Sequence, residues 1–120
     1  YVGGHLHACD INPKNIKNAK KFTSKFKKKI TFYLDDSVSF LRNFEKEIDF
    51  LYLDSLDGQY SDSSEHQLNE IKNSLKNLHK NSLVLLDDKG QKTNLSINYM
   101  LDNGLKIINE TDQQILLSFK

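Results

Sequence analysis

The chain has 120 residues and a mass of 13.9 kDa, with 38% apolar, 28% charged and 10% aromatic side chains. That length holds one domain with no room for a second independent core, so residues 1–120 are expected to form a single unit. A lone cysteine, Cys9, excludes an intramolecular disulfide, and the lack of a Cys-x-x-Cys pair excludes a zinc ribbon. No apolar run approaches the roughly 20 residues of a membrane span and no signal-peptide pattern opens the chain, so a cytoplasmic location and no membrane partner are expected. Seventeen basic against sixteen acidic side chains give a net charge of +1, which supplies no overall field for nucleic acid. The charge is unevenly placed: residues 14–29 carry eight lysines and no acid, residues 54–70 five acids and no lysine.

Residues 5–11 read as a short strand. Asn12-Pro13 then supplies an N-cap and a proline at the first helical position, and Ile16, Ala19, Phe22 and Phe26 form the apolar stripe of the helix that follows. Residues 29–34 alternate and are rich in β-branched and aromatic side chains, the mark of a strand, after which Ser37 caps a short helix to Phe44. Ile48-Asp49-Phe50-Leu51-Tyr52-Leu53 is nearly all apolar and predicts a strand buried on both faces. Asp62 and Glu65 have capping-box spacing ahead of a helix carrying Leu68, Ile71, Leu75 and Leu78. Leu83-Val84-Leu85-Leu86 predicts another buried strand. A helix from about Thr93 is closed by Gly104 as a left-handed cap, and two strands, 105–110 and 114–119, are joined by a connection too short for anything but a hairpin. The last strand must therefore run antiparallel. The alternation predicts an α/β fold, a mostly parallel sheet flanked by helices.

Ligands of open α/β sheets bind outside the carboxyl ends of the strands, so the residues ending strands are those to read for chemistry. Here they are acidic: Asp10, Asp35-Asp36, Asp54 and Asp87-Asp88, six carboxylates expected along one sheet edge. Strand-ending aspartates also make Asx turns and helix caps, the alternative reading for any one of them. Asp54, Asp87 and Asp88 at neighbouring strand ends would form a hard oxygen cage suited to Mg²⁺ or Ca²⁺ and poor for zinc.

The pattern resembles the class I S-adenosylmethionine-dependent methyltransferases with a Rossmann-like fold. Gly4-His5-Leu6-His7-Ala8-Cys9-Asp10-Ile11-Asn12-Pro13 looks like the family's second strand, Asp35-Asp36-Ser37 like the next motif, residues 49–54 like the fourth strand and residues 83–88 like the fifth, while the reversed last strand is a family hallmark. The resemblance implies S-adenosylmethionine as cofactor, held by Asp10 through the ribose hydroxyls, by Ile11, and by Asp35, Asp36 and Ser37 near the adenine, with Asp54 beside it. It also implies that Asp54, Asp87 and Asp88 match the metal site of the catechol O-methyltransferase-like branch, in which Mg²⁺ would orient and acidify an acceptor hydroxyl. The expected function is O-methylation of a small molecule. That branch carries a lysine base three residues after the metal aspartate, where this sequence has Asp57; Lys89 and His66 are the replacement candidates.

The family's first strand and glycine-rich loop have no counterpart here, because the sequence opens at Tyr1-Val2-Gly3-Gly4, where the helix that follows them is expected to end. Since that strand lies between the second and fourth, its loss would leave a gap of about 10 Å, twice the normal strand spacing. An N-terminally truncated fragment, or a homodimer closing the sheet, is therefore expected, and a non-catalytic binding or dimerising module is the alternative to an enzyme. Four further signals are set aside. His5, His7 and Cys9 share one strand face and could hold zinc or copper, but no fourth ligand is evident. The lysine-rich segment could track phosphates, but it reads as a solvated helix face without interleaved aromatics, so a nucleic-acid partner is not expected. A phosphoacceptor receiver would need two βα units between Asp36 and Asp54, and no Gly-x-Gly-x-x-Gly precedes Asp10 for a dinucleotide.

Overall fold

The computed structural model describes residues 3–55 and 62–120, so Asp57 lies outside the described residues. The fold is α/β, a mostly parallel sheet arrangement flanked by helices, and the chain divides into two compact units, residues 1–43 and 44–120. The strands form two sheets where one was expected: β1-β2 in the first unit and β3-β4-β6-β5 in the second. No helix among the described residues is long and apolar enough to cross a membrane.

In the first unit β1 (Leu6–Asp10) pairs in parallel with β2 (Ile30–Leu34), in a register that sets Leu6 against Ile30 and Asp10 against Leu34. Between them runs α1 (Pro13–Phe22). Asn12 caps it as predicted, its Oδ1 accepting the Lys14 N–H at 2.9 Å, and Pro13 sits where a missing N–H costs nothing. Its apolar stripe is only partly used. Ile16 and Ala19 are half-buried, whereas Phe22 is 83% exposed and Phe26 lies in a separate 3-10 turn, Ser24–Phe26. α2 (Ser37–Asn43) is capped one residue earlier than expected: Asp36 Oδ2 accepts the Ser39 N–H at 3.0 Å and the Asp36 carbonyl accepts the Phe40 N–H at 2.9 Å.

The second unit holds most of the core. β3 (Ile48–Leu53) pairs in parallel with β4 (Leu78–Leu86), and β4 pairs antiparallel with β6 (Ile115–Ser118), which in turn pairs antiparallel with β5 (Lys106–Glu110). The reversed last strand is as predicted. Period-two alternation buries Leu51 and Leu53, Val84 and Leu86, Ile115 and Leu117. β3 is not buried on both faces, because Phe50 and Tyr52 on its other side are exposed; the run is apolar, but its alternate residues are aromatics at the surface. β4 starts five residues before the apolar run. Between Ile48 and Phe50 the ladder is irregular, and the fully buried Ser82 bridges the break, donating to the Ile48 carbonyl at 2.7 Å and accepting the His79 N–H at 2.8 Å.

α3 (Ser63–Ser74) and α4 (Asn94–Asp102) pack against each other and bury Ile71 and Met100. The capping box at Asp62 does not form: Asp62 is the N-cap, but its side chain makes no cap hydrogen bond. The buried stripe of α3 is Ser63, Gln67, Glu70, Ile71 and Ser74, polar apart from Ile71, instead of the leucine series. Gly104 closes α4 at φ +92°, the left-handed cap that glycine adopts without a Cβ penalty.

Candidate functional site

Each unit gathers three acids at the carboxyl ends of a parallel strand pair, because parallel pairing sends both strands out on the same side. In the first unit these are Asp10, Asp35 and Asp36. Asp10 Oδ1 accepts the Asn12 N–H at 2.8 Å and Oδ2 accepts from Asn15 Nδ2 at 3.2 Å, so the carboxylate is fixed in an Asx turn and keeps acceptor capacity on both oxygens. Asp35 Oδ1 accepts the Asp36 N–H at 2.8 Å, and Asp36 caps α2. Both acids are exposed, with Ile11 and Ser37 next to them in sequence.

His5, His7 and Cys9 do share a strand face, as predicted, but each side chain is already engaged with β2 or its end. His5 Nε2 hydrogen-bonds Thr31 Oγ1 at 2.7 Å, His7 Nδ1 hydrogen-bonds the Tyr33 hydroxyl at 2.9 Å, and the Cys9 thiol donates to the Asp35 carbonyl at 3.1 Å. Burial, and then the carboxylate of Asp35, push the Cys9 thiol up to about 11.

In the second unit Leu53 stands opposite Leu86 in the β3-β4 ladder, which brings Asp54 and Asp87 out side by side, the Asp87 N–H donating to the Leu53 carbonyl at 3.2 Å. Asp88 follows in the left-handed region at φ 55°, a conformation that a short polar side chain tolerates. One oxygen from each of Asp54, Asp87 and Asp88 lies within 4.8 Å of the others, and this is the metal-compatible group found among the described residues. The cluster is supported from several elements. Gln114 Nε2, just before β6, donates to Asp87 Oδ1 at 3.1 Å, and Lys92 Nζ lies 3.2 Å from Asp88 Oδ2 and 3.9 Å from Asp54 Oδ1.

The electrostatics differ between the two central acids. Burial, a hydrogen bond with Asp87 and the charge of Asp87 raise Asp54 above the usual carboxylate range. Burial also acts to raise Asp87, but hydrogen bonds from Asp54, Gln114 and the Asp88 N–H outweigh it and hold Asp87 below that range. Of the pair, Asp54 is therefore the one that binds a proton more readily and Asp87 the one that gives it up more readily. Tyr52, two residues before Asp54 on the same strand face, has its phenol raised by burial and by the charges of Asp54 and Asp87, so it stays a donor towards them.

The two candidate bases fall in different surroundings. Ser55 Oγ donates to Glu70 Oε2 at 2.6 Å and lies 3.1 Å from His66 Nε2. Since the single hydroxyl proton goes to Glu70, His66 must donate from Nε2, and in the neutral ring the lone pair sits on Nδ1. Lys89 Nζ pairs with Glu110 Oε2 at 2.8 Å and the Thr111 carbonyl at 3.2 Å, which ties it to the β5-β6 hairpin. Sequence reasoning passed over Lys92, Tyr52, Gln114 and the Ser55-Glu70 pair. Of these only Tyr52 carried a sequence signal, its two-residue spacing from Asp54.

Acid-ended parallel strands with a reversed last strand match what the resemblance to class I Rossmann-like methyltransferases implies. A protein family described as a methyltransferase domain matches residues 1–89, and the chain belongs to that family. Among solved structures it is similar to an rRNA methylase of Streptococcus thermophilus, with 11% identity and a TM-score of 0.71 over 95% of this chain and 72% of the other. A Podospora anserina methyltransferase, PaMTH1, bound to S-adenosylhomocysteine, gives 13% identity and a TM-score of 0.72 over 97% of this chain and 61% of the other. The ribosomal protein L11 methylase of Lactobacillus delbrueckii subsp. bulgaricus gives 13% and 0.70 over 95% and 57%. A search of curated proteins gives no match. The family is that of S-adenosylmethionine-dependent methyltransferases.

Proposed function

We propose that this chain transfers the methyl group of S-adenosylmethionine to a hydroxyl oxygen of a small molecule, with a divalent cation such as Mg²⁺ held by Asp54, Asp87 and Asp88. The observation that carries the reading is the convergence of those three carboxylates at two parallel strand ends, with oxygens within 4.8 Å of one another. An all-oxygen donor set of this size fits a hard cation. On the cofactor side, Asp10 keeps a lone pair on each carboxylate oxygen for the two ribose hydroxyls, and Asp36 retains acceptor capacity for the adenine amino group, with Asp35, Ile11 and Ser37 flanking.

When bound, the cation would supply Lewis acidity and S-adenosylmethionine an electrophilic methyl. The residues of this chain orient and handle protons. Asp87, whose carboxyl is held below the usual range, would hold the cation together with Asp88 and Asp54. His66 is the candidate acceptor of the hydroxyl proton, its ring set by Ser55 and Glu70. Lys89, paired with Glu110, is the lesser candidate for that role.

A second reading, a nucleic-acid acceptor, is favoured by the eight exposed lysines of residues 14–29, where Phe22 stands exposed among them. The two readings separate in one experiment. The protein is titrated with S-adenosylhomocysteine by calorimetry, with and without Mg²⁺, and methyl transfer is then assayed on catechols, sugars and RNA. Binding of the cofactor product with Mg²⁺-dependent transfer to a catechol or sugar is the expected outcome; transfer to RNA replaces the acceptor, and no heat under any condition leaves a binding module instead of an enzyme. Asp54→Ala should abolish the Mg²⁺ dependence, and an unchanged Mg²⁺ affinity in that variant sinks the cation site.

A further inference from the structure

We infer that Lys92 is the tethered counter-cation of the Asp54, Asp87 and Asp88 cluster and sets how tightly that cluster takes a divalent ion, an inference that rests on the cation reading above. The geometry is asymmetric. The Lys92 side chain is 1% exposed, whereas the carboxylates it meets, Asp54 and Asp88, are 48% and 42% exposed. The ammonium therefore reaches the cluster from the protein side, and the solvent side of the carboxylates stays open.

Lys92 is aimed there by the chain itself. After the left-handed Asp88, the Gly90 N–H donates to Thr93 Oγ1 at 3.0 Å and the Thr93 N–H to the Gly90 carbonyl at 3.2 Å, and this tight turn puts Lys92 back over Asp88 four residues later. Desolvating an unpaired ammonium costs several kcal/mol, and the Asp88 and Asp54 carboxylates at 3.2 and 3.9 Å offset that cost. It is the most enclosed charge of the cluster. Lys89, three residues earlier, turns instead to Glu110 and Thr111.

Two consequences follow from Coulomb's law. Without a metal, one fixed positive charge cancels part of the repulsion among three close acids. With a metal, the same charge opposes the incoming ion at short range, so the cluster takes a divalent cation more weakly than three unopposed carboxylates would. Lys92 and the ion thus do the same job from opposite sides, and removal of the first should make room for the second.

The test measures Mn²⁺ binding to the full chain by electron paramagnetic resonance, with calorimetric Mg²⁺ titrations beside it, for the wild type, Lys92→Met, Lys92→Gln and Lys92→Arg. Both neutral variants should bind Mn²⁺ at least about tenfold more tightly than the wild type, and Lys92→Arg should stay near the wild-type affinity. Both should also melt earlier in EDTA and recover with Mn²⁺. Lys92→Gln keeps a donor for Asp88, so the comparison stands if Lys92→Met does not fold. Folded neutral variants that bind Mn²⁺ no tighter than a wild type that does bind it overturn the role of Lys92 and leave the cation site intact. If none of the four proteins takes up Mn²⁺, the cation site itself is overturned and Lys92 with it.

Discussion

Cys9 shows how one side chain can be read as a site and turn out to be a strut. Its alternation with His5 and His7 suggests a soft-metal face, yet its thiol donates to the Asp35 carbonyl and is pushed up to about 11 by burial. A thiol raised from 9.0 to about 11 holds its proton throughout the neutral range, so the thiolate fraction at pH 8 is lower than that of a free cysteine by a factor of about 100. Alkylation with iodoacetamide should therefore be slow at pH 8 and accelerate up to and beyond pH 10; a rate that levels off near pH 9 would contradict the burial argument. The acid pair gives a second expectation. Because Asp54 is raised in the folded chain, its ionisation is disfavoured there, so it destabilises the fold as pH climbs through its unfolded value towards its folded one. Asp54→Asn mimics the protonated form. In EDTA the variant should melt a few degrees above the wild type at pH 7, and the difference should vanish under acid conditions, where Asp54 is protonated in both states.

At the level of elements, the β3-β4 pairing depends on a polar patch in an apolar ladder. Ser82 is fully buried and satisfies both the Ile48 carbonyl and the His79 N–H where the register breaks. Ser82→Ala would leave those two backbone groups unpaired, costing about 1–3 kcal/mol, measurable as a shift in the urea midpoint at unchanged slope. Boundaries of strands and helices were legible wherever an apolar run met a strong signal: Asn12-Pro13, Gly104, and the acids after Leu53 and Leu86 all mark them. What eluded the sequence was anything set by tertiary neighbours. Leu68, Ile71, Leu75 and Leu78 have a helical period, but the helix ends at Ser74, leaving Leu75 in a 3-10 turn and Leu78 at the start of β4, and the stripe that is buried runs through Gln67 and Glu70, because α4 and Ser55 supply surroundings that periodicity cannot see. Lys92 escaped for a related reason. Its direction depends on the backbone at Asp88 and Gly90, and a lysine in a loop carries no sign that it will be enclosed.

Across the whole molecule the charge divides unevenly. Residues 1–43 hold nine Lys/Arg against three Asp, a net of +6, while residues 44–120 hold eight against thirteen, a net of −5. The apolar core divides the same way: among the described residues Leu41 is the one fully buried apolar side chain of the first unit, and the other nine belong to the second. Local stability tracks such burial. Hydrogen exchange should thus be faster at the β1 and β2 amides than at β4 and β6, and S-adenosylhomocysteine should slow exchange around Asp10 and Asp36 first. Equal protection of β1 and β4 in the ligand-free protein would show that the first unit draws its stability from elsewhere.

The placement of β6 between β4 and β5 bears on how the protein is made. On the ribosome, residues 106–110 emerge before residues 115–118, yet among the described residues the ladder partner of β5 is the strand that follows it. The second sheet therefore cannot finish while synthesis is under way at that point, and β5 must wait as an open edge. A nascent chain stalled before Ile115 leaves the tunnel should be protease-sensitive throughout residues 105–110, and release of a few more residues should protect the hairpin and β4 together.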